Sequence, residues 1–210
     1  MSKAAIVNAL TFARVPLIFA WMVLAIWCEL AGDGAANYFH LSFVALCAMV
    51  LSGFTDLLDG KLARRWQVVS TLGKLSDPLM DKVFYIVAFP TLAWIAALHG
   101  DNTFHEVALL AFAVLYILRD LWVTFIRTVG ALYGAPVAAM MMGKVRTALS
   151  FPTAAIIYIY FVLDGVLGVN GRYLLYVCYA VEAFMTVLNL VSIVTYTRVY
   201  LPYMRQAMRK

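Results

Sequence analysis

Three observations predict an all-α integral membrane protein: a six-transmembrane-helix bundle with an N-terminal interfacial helix and both termini cytoplasmic. The first is composition. Of the 210 residues 65% are hydrophobic and only 13% are charged, with a mean hydropathy of +0.89, far outside soluble globular usage. The second is spacing: apolar runs of about 20 residues, long enough to cross a hydrocarbon core, fall at 15–31, 38–58, 77–98, 106–127, 147–168 and 173–197. The third is alternating charge. Glu29 and Asp33 follow the first run, Asp101 and Glu106 the third, and Asp164 the fifth; of the 16 Lys and Arg, Arg172 alone lies on that side. By the positive-inside rule the other side, with both termini and the carboxylates between the second and third runs, is cytoplasmic; the expected location is the cell inner membrane, as a multi-pass protein. The net charge of +5 then faces anionic membrane lipid. A pI near 9.2 does not indicate nucleic acid, because no soluble basic domain accompanies it. Residues 1–210 read as one domain, with no repeat or linker.

The elements follow in order. Asn8, Thr11 and Arg14 recur at intervals of three and so lie along one side of a helix. That side faces headgroups and cytosol if the segment is interfacial, or else points into the bundle; Pro16 kinks the helix or marks its turn into the membrane. The second run must continue to about Arg64 to place Asp56 and Asp59 on a common face, which at ~1.5 Å per residue projects its end into the cytoplasmic interface. Arg64-Arg65-Trp66-Gln67 has the make-up of an interfacial anchor. Pro78 directly after Asp77 suits a first helical turn, with Asp77 near the N-cap. Tyr85, Pro90 and Trp94 read as packing and interfacial residues of the third helix. Arg119 and Arg127 close the fourth helix while Lys144 and Arg146 open the fifth, with Gly134 and Pro136 marking the loop between. These four cations serve either as topology signals or as a pocket for an anion. The sixth helix carries Glu182 and Asn189, polar groups that face a bundle interior and pair there, and ends in a basic tail from Arg198 to Lys210. Cys28, Cys47 and Cys178 are an odd set without paired spacing and read as packing residues. His99 and His105 flank Asp101, where interfacial polar roles outweigh metal binding.

Between the second and third runs lies the most informative stretch, Asp56-Leu-Leu-Asp59-Gly60-Lys-Leu-Ala63-Arg64, then eight residues, then Gly73-Lys-Leu-Ser-Asp77-Pro-Leu-Met-Asp81. Asp56 and Asp59 are three apart and Asp77 and Asp81 four apart, so each pair shares one face of its helix. Two such helices face to face gather four carboxylates, which near a low-dielectric medium must be paired, protonated or metal-bound. Without Cys or His in the stretch, the donor set is all oxygen and suits Mg²⁺ or Mn²⁺. Mg²⁺ commonly joins carboxylates to substrate phosphates, which suggests a nucleotide-like substrate. Gly60, Ala63 and Gly73 permit close approach of either a ligand or a neighbouring helix. Helix-end capping and pairing with local cations accounts for some of the acids but not for small residues at fixed offsets.

This spacing, D-x2-D-G-x2-A-R-x8-G-x3-D-x3-D, matches the signature of the CDP-alcohol phosphotransferase family at all eight fixed positions, a chance event on the order of 10⁻¹⁰ per start position at background residue frequencies. The chain is identified on it as a member. Asn8-Ala-Leu-Thr11-Phe-Ala-Arg14, Arg119-Asp120 with Ile126-Arg127, and Met142-Gly143-Lys144-Val-Arg146-Thr147 further resemble bacterial phosphatidylglycerophosphate synthases. Asp120 where Glu is frequent, Arg146 where Lys is common and Val7 in place of a proline are departures from that branch. The resemblance implies phosphatidyl transfer from CDP-diacylglycerol to an alcohol, here glycerol 3-phosphate, with release of CMP at a two-metal site. It implies that Asp56, Asp59 and Asp77 hold one ion and Asp56, Asp77 and Asp81 the other, and that Asp81 is the general base. Asn8, Thr11, Gly60, Ala63, Arg64 and Gly73 would then contact the CDP-lipid, and Arg119, Arg127, Lys144 and Arg146 the acceptor phosphate. Six helices and a homodimer are implied as well. Two rivals are another phosphorylated acceptor, such as inositol phosphate, and a divalent-cation pathway in a transporter. Against the transporter, the acids sit at one interface and no matching polar pair is evident on the outer half.

Overall fold

The computed structural model describes residues 2–31, 35–68, 71–100, 102–135, 141–167 and 172–209; within the helices, the side chains of 35, 36, 57, 71–75, 77, 164–167 and 172 lie outside the description. Asp33, Asp101, Pro136 and Lys210, and the side chains at Gly73, Asp77, Asp164 and Arg172, therefore fall outside the described residues. Among those described, the chain is all helix and without strands: α1 (Lys3–Ala31), α2 (Ala35–Trp66), α3 (Thr71–His99), α4 (Thr103–Leu132), α5 (Met141–Leu167) and α6 (Arg172–Met208). Each contains a stretch long and apolar enough to cross a membrane. Helices are what such a sequence must form, since in hydrocarbon every backbone N–H and C=O has to be satisfied within its own segment.

All six helices lie where the apolar runs predict, and several extend beyond them. α1 runs without interruption through Pro16, so residues 3–14 form its first turns and continue directly into the apolar run. α3 starts at Thr71, which puts Pro78 inside the helix and corrects the expectation that Asp77 sits near an N-cap. The missing proline donor costs one intrahelical bond, and packed neighbours make that tolerable in a bundle. α6 continues to Met208, so the described part of the basic tail prolongs the last helix.

α3 packs against α1, α4 and α5; α1 also packs on α2, α4 on α6, and α5 on both α2 and α6. Association of such helices rests on close packing more than on water exclusion, because lipid tails are as apolar as leucine. Accordingly Gly53 on α2 lies against the Phe151 ring of α5, and Gly130 on α4 against the Tyr200 ring of α6, approaches that a Cβ would obstruct. The middle of the bundle is apolar and aromatic, with Trp21, Met49, Phe89, Leu92, Leu109 and Met185 at zero exposure. Phe43, Phe54, Trp94, Leu110, Phe125 and Phe184 face outward, as lipid-facing positions do.

This middle layer separates two polar ends. At the end away from the Asp56–Asp81 stretch, His99 Nδ1 lies 3.2 Å from Glu29 Oε2 and the Tyr38 hydroxyl donates to Glu29 Oε1 at 2.7 Å. His105 Nε2 lies 3.0 Å from Glu182 Oε1, and Asn102 Nδ2 donates to the Tyr179 hydroxyl at 3.1 Å. The two histidines thus pair with separate glutamates, as ordinary polar residues would, and Glu182 acquires the partner that the sequence did not reveal. These pairs also correct the expectation of an outer half without polar pairs: they come from residues distant in sequence, which no spacing brings together. Cys28, Cys47 and Cys178 are free thiols.

Candidate active site

At the other end, α1, α2 and α3 bring their acidic and basic residues to one point. The buried stripe of α1 runs Val7, Thr11, Arg14, Ile18, Trp21, Ala25, Cys28, the i, i+4, i+7 periodicity of a single helix face. Arg14 therefore enters the bundle with its guanidinium among the acids. Its Nη2 lies 2.6 Å from both Asp56 Oδ1 and Asp59 Oδ2, and its Nη1 lies 3.3 Å from Asp81 Oδ1. Thr11 donates to the same Asp59 oxygen at 2.7 Å, and the Ser52 hydroxyl donates to the Arg14 carbonyl at 3.4 Å. The three carboxylates differ in exposure. The Asp59 side chain is 3% exposed, Asp81 34% and Asp56 49%, so Asp59 anchors the cluster while Asp56 and Asp81 face outward from it.

A hard divalent cation is the ligand such a set suits. Two carboxylate oxygens from different residues already share one hydrogen-bond radius around Arg14 Nη2, the donors are all oxygen, and a third carboxylate, on α3, reaches Arg14 Nη1. Among the described residues no three acids form a metal nest by themselves; Arg14 draws them together, and the Asp77 side chain lies outside the description. Asp56, Asp59 and Asp81 nevertheless fit as ligands. Asn8 is half-buried one turn before Thr11, whereas Gly60, Ala63 and the exposed Arg64 continue α2 past Asp59.

Asp56 and Asp81 also line a cavity of about 530 Å³ that extends from the acids, past Lys82 and Tyr85, to Arg119, Asp120, Arg127, Lys144 and Arg146. The structure thus brings all four predicted cations to one cavity. They differ in setting: Arg146 is 1% and Arg119 4% exposed, Arg127 is half-buried and Lys144 exposed. The two buried arginines are held from α6. Arg146 Nε donates to Asn189 Oδ1 at 2.7 Å and its Nη2 to the Tyr116 carbonyl at 3.1 Å, with the guanidinium 3.7 Å from the centre of the Tyr116 ring. Arg119 donates to Ser192 through Nε at 3.1 Å and through Nη2, and lies over Tyr196. A Cβ at Gly143 would come within 2.8 Å of the Tyr196 hydroxyl, so glycine is what lets α5 begin this close to α6.

Asn189 now has its partner, and Ser192, Tyr196, Tyr116 and Lys82 are site residues that sequence reasoning did not assign. Asn189, Ser192 and Tyr196 follow an i, i+3, i+7 pattern, continuous with Cys178, Glu182 and Met185 on one buried face; that polar stripe was the available signal.

A bundle of membrane-length helices in which one cavity holds carboxylates together with arginines belongs to the class of proteins suited to binding phosphate groups beside a divalent ion. Sequence comparison gives the particular family: the family model described as CDP-alcohol phosphatidyltransferase matches residues 4–195, and the chain belongs to that family and is a transferase. It is 32% identical over 145 residues to the CDP-diacylglycerol--glycerol-3-phosphate 3-phosphatidyltransferase of Bacillus subtilis, covering 67% of this chain and 69% of that one. The enzyme of the same name from Rickettsia felis is 27% identical over 188 residues, 90% of this chain and 89% of its own. A cardiolipin synthase (CMP-forming) of Streptomyces coelicolor is 40% identical over 90 residues, 41% of this chain and 38% of that protein's length.

Proposed function

We propose that the chain is a CDP-diacylglycerol:glycerol-3-phosphate 3-phosphatidyltransferase, making phosphatidylglycerophosphate and CMP for phospholipid biosynthesis. One observation carries the reading: a single cavity joins Asp56 and Asp81 to Arg119, Arg127, Lys144 and Arg146, which suits a donor diphosphate at one end and a phosphorylated acceptor at the other. The acceptor hydroxyl oxygen bonds to the lipid-linked phosphorus, the bond from that phosphorus to the CMP oxygen breaks, and the hydroxyl proton passes to Asp81. Asp81 suits this role because its carboxylate is one-third exposed and lines the cavity, where an attacking hydroxyl can come within hydrogen-bond reach. Asp56, Asp59, Asp77 and Asp81 would hold two Mg²⁺ or Mn²⁺ ions, which would supply positive charge against the diphosphate and the departing CMP. Asn8, Thr11, Gly60, Ala63, Arg64 and Gly73 serve the CDP-lipid, Thr11 through Asp59. Arg119, Arg127 and Lys144 meet the acceptor phosphate, and Arg146, caged by Tyr116 and Asn189, supplies charge from behind. The charge asymmetry of the loops supports a site facing the cytoplasm of the inner membrane; a homodimer within that membrane is part of the same reading.

The test is CMP release from CDP-diacylglycerol by purified enzyme in vesicles, run with glycerol 3-phosphate, inositol phosphate and phosphatidylglycerol in turn. Phosphatidylglycerophosphate is the expected product. Release only with inositol phosphate, or product that is cardiolipin, reassigns the acceptor; divalent-cation flux without any CMP release returns the chain to the transporter reading.

A further inference from the structure

Asp120 is an acid in the wrong half of the cavity. Its carboxylate lies 3.0 Å from Lys82 Nζ, 3.6 Å from Arg146 Nη1 and 3.7 Å from Arg119 Nη1. Its side chain is 15% exposed and forms part of the cavity wall. Asp120 thus occupies, in the middle of three cations, the position of the anion those cations would attract.

A positioning role for this carboxylate is the first explanation to weigh, and the distances decide against it for the arginines. Separations of 3.6 and 3.7 Å are ion pairs without a hydrogen bond. Direct bonds to Asn189, Ser192 and the Tyr116 carbonyl, at 2.7 to 3.1 Å, fix both guanidinia from the other side. Lys82 has a second partner too, since its Nζ donates to Thr124 Oγ1 at 2.8 Å. Removing the charge on Asp120 would leave the three cations close to where they are and raise the positive potential of the pocket.

We propose that Asp120 is a built-in competitor for the anionic acceptor, a fixed carboxylate that offsets the cation cluster and sets how tightly a phosphate is held there. It rests on the reading of this end of the cavity as the acceptor-phosphate site. The physical logic is release as well as capture. A dianionic phosphate facing three or four uncompensated cations in a partly desolvated cavity would be retained, because charge-assisted bonds strengthen as water is excluded. A carboxylate within the cluster lowers that affinity for every phosphate, including one on the product. The result is a KM tuned upward without loss of arginine geometry. The carboxylate also discriminates by charge, penalising a dianion more than a monoanion.

The experiment uses the full-length enzyme in detergent, with inorganic phosphate as probe. Phosphate binding is read by calorimetry and by inhibition against glycerol 3-phosphate, for wild type, Asp120→Asn and Asp120→Glu. The expected result is phosphate binding at least about fivefold tighter in Asp120→Asn, a correspondingly lower KM for glycerol 3-phosphate, an unchanged KM for CDP-diacylglycerol, and near wild-type values in Asp120→Glu. Equal or weaker phosphate binding in a folded Asp120→Asn variant overturns the proposal and makes Asp120 a structural clamp. If that variant does not fold, Asp120→Ser is measured instead under the same criterion. Wild type that binds neither phosphate nor glycerol 3-phosphate removes the acceptor reading itself, a failure recognisably different from a wild type that binds and a variant that does not tighten.

Discussion

Arg14→Met offers the sharpest test of the acidic end. In the native protein the Arg14 guanidinium lies within 2.6 Å of both Asp56 and Asp59 and 3.3 Å from Asp81. Asp56 and Asp81 are exposed enough for solvent to screen them, but Asp59, at 3% exposure, keeps only the Thr11 hydroxyl among the bonds described for it once Arg14 is replaced. Breaking a buried ion pair from one side costs about 3–5 kcal/mol. At the lower figure, a chain of this size loses roughly 6–12 °C in thermal midpoint, at ~2–4 °C per kcal/mol. A divalent ion on the same oxygens compensates the stranded charge, and at a hundred times its dissociation constant contributes ~2.7 kcal/mol. The expected outcome is therefore a large loss of thermal stability in EDTA that Mg²⁺ mostly restores, with a bigger Mg²⁺ response in Arg14→Met than in wild type, where the ion must displace the guanidinium. The readout is thermal unfolding of detergent-solubilised protein at fixed concentration, with EDTA or Mg²⁺. An equal loss in both conditions would refute the shared-oxygen argument, and no loss in EDTA would show that the Arg14 pairs contribute nothing.

Other outcomes follow from the same geometry. Chelation should abolish CMP release, with recovery on adding Mg²⁺ or Mn²⁺; full turnover in excess EDTA sinks the two-metal reading. Asp81→Asn should lower turnover by roughly 10²-fold while CDP-diacylglycerol still binds; loss of donor binding in proportion would make Asp81 chiefly a metal ligand. Arg119→Lys and Arg127→Lys keep charge but lose the planar fork, so the KM for glycerol 3-phosphate should rise roughly 10- to 150-fold, the worth of one charge-assisted contact. An unchanged KM would return both residues to topology signals. Gly53→Val should lower thermal stability by about 1–3 kcal/mol, since its side chain meets the Phe151 ring; wild-type stability would mean that α2 and α5 can part without loss.

The acidic half of the cavity was legible because its spacing is local. Helical periodicity sets Asp56 and Asp59 on one face of α2; among the described residues α2 and α3 do not pack on each other as the sequence suggested, and Arg14 of α1, which packs on both, links Asp81 to that pair. Arg14 and Thr11 could be placed on the same side of α1 by the same rule, but whether that side met lipid headgroups or carboxylates depended on how α1 docks. The contact with α2 and α3 decides it. Helix boundaries were less legible. A proline after an aspartate resembles a helix start in water, yet in a membrane bundle α3 begins seven residues before Pro78, because an unsatisfied backbone costs more there than one missing bond.

The cation half was legible only as four charges. Arg119 and Arg146 come from different helices, and what distinguishes them from solvent-facing topology signals is burial against α6, whose Asn189 and Ser192 lie 43 and 73 residues away from the arginines they bind. No spacing rule reaches that far. Periodicity along α6 alone could still have marked its polar stripe, and charge balance could have asked what compensates two arginines at 1% and 4% exposure. That question leads to Asp120. Its carboxylate, 3.0 Å from Lys82 Nζ and 3.6 and 3.7 Å from the two guanidinia, offsets part of their charge from inside the cluster. Arg14 does the same among the acids, with the opposite sign. Each end of the cavity thus carries one residue opposite in charge to its neighbours, Arg14 among the acids and Asp120 among the cations, so the field at each end is a difference between opposed charges.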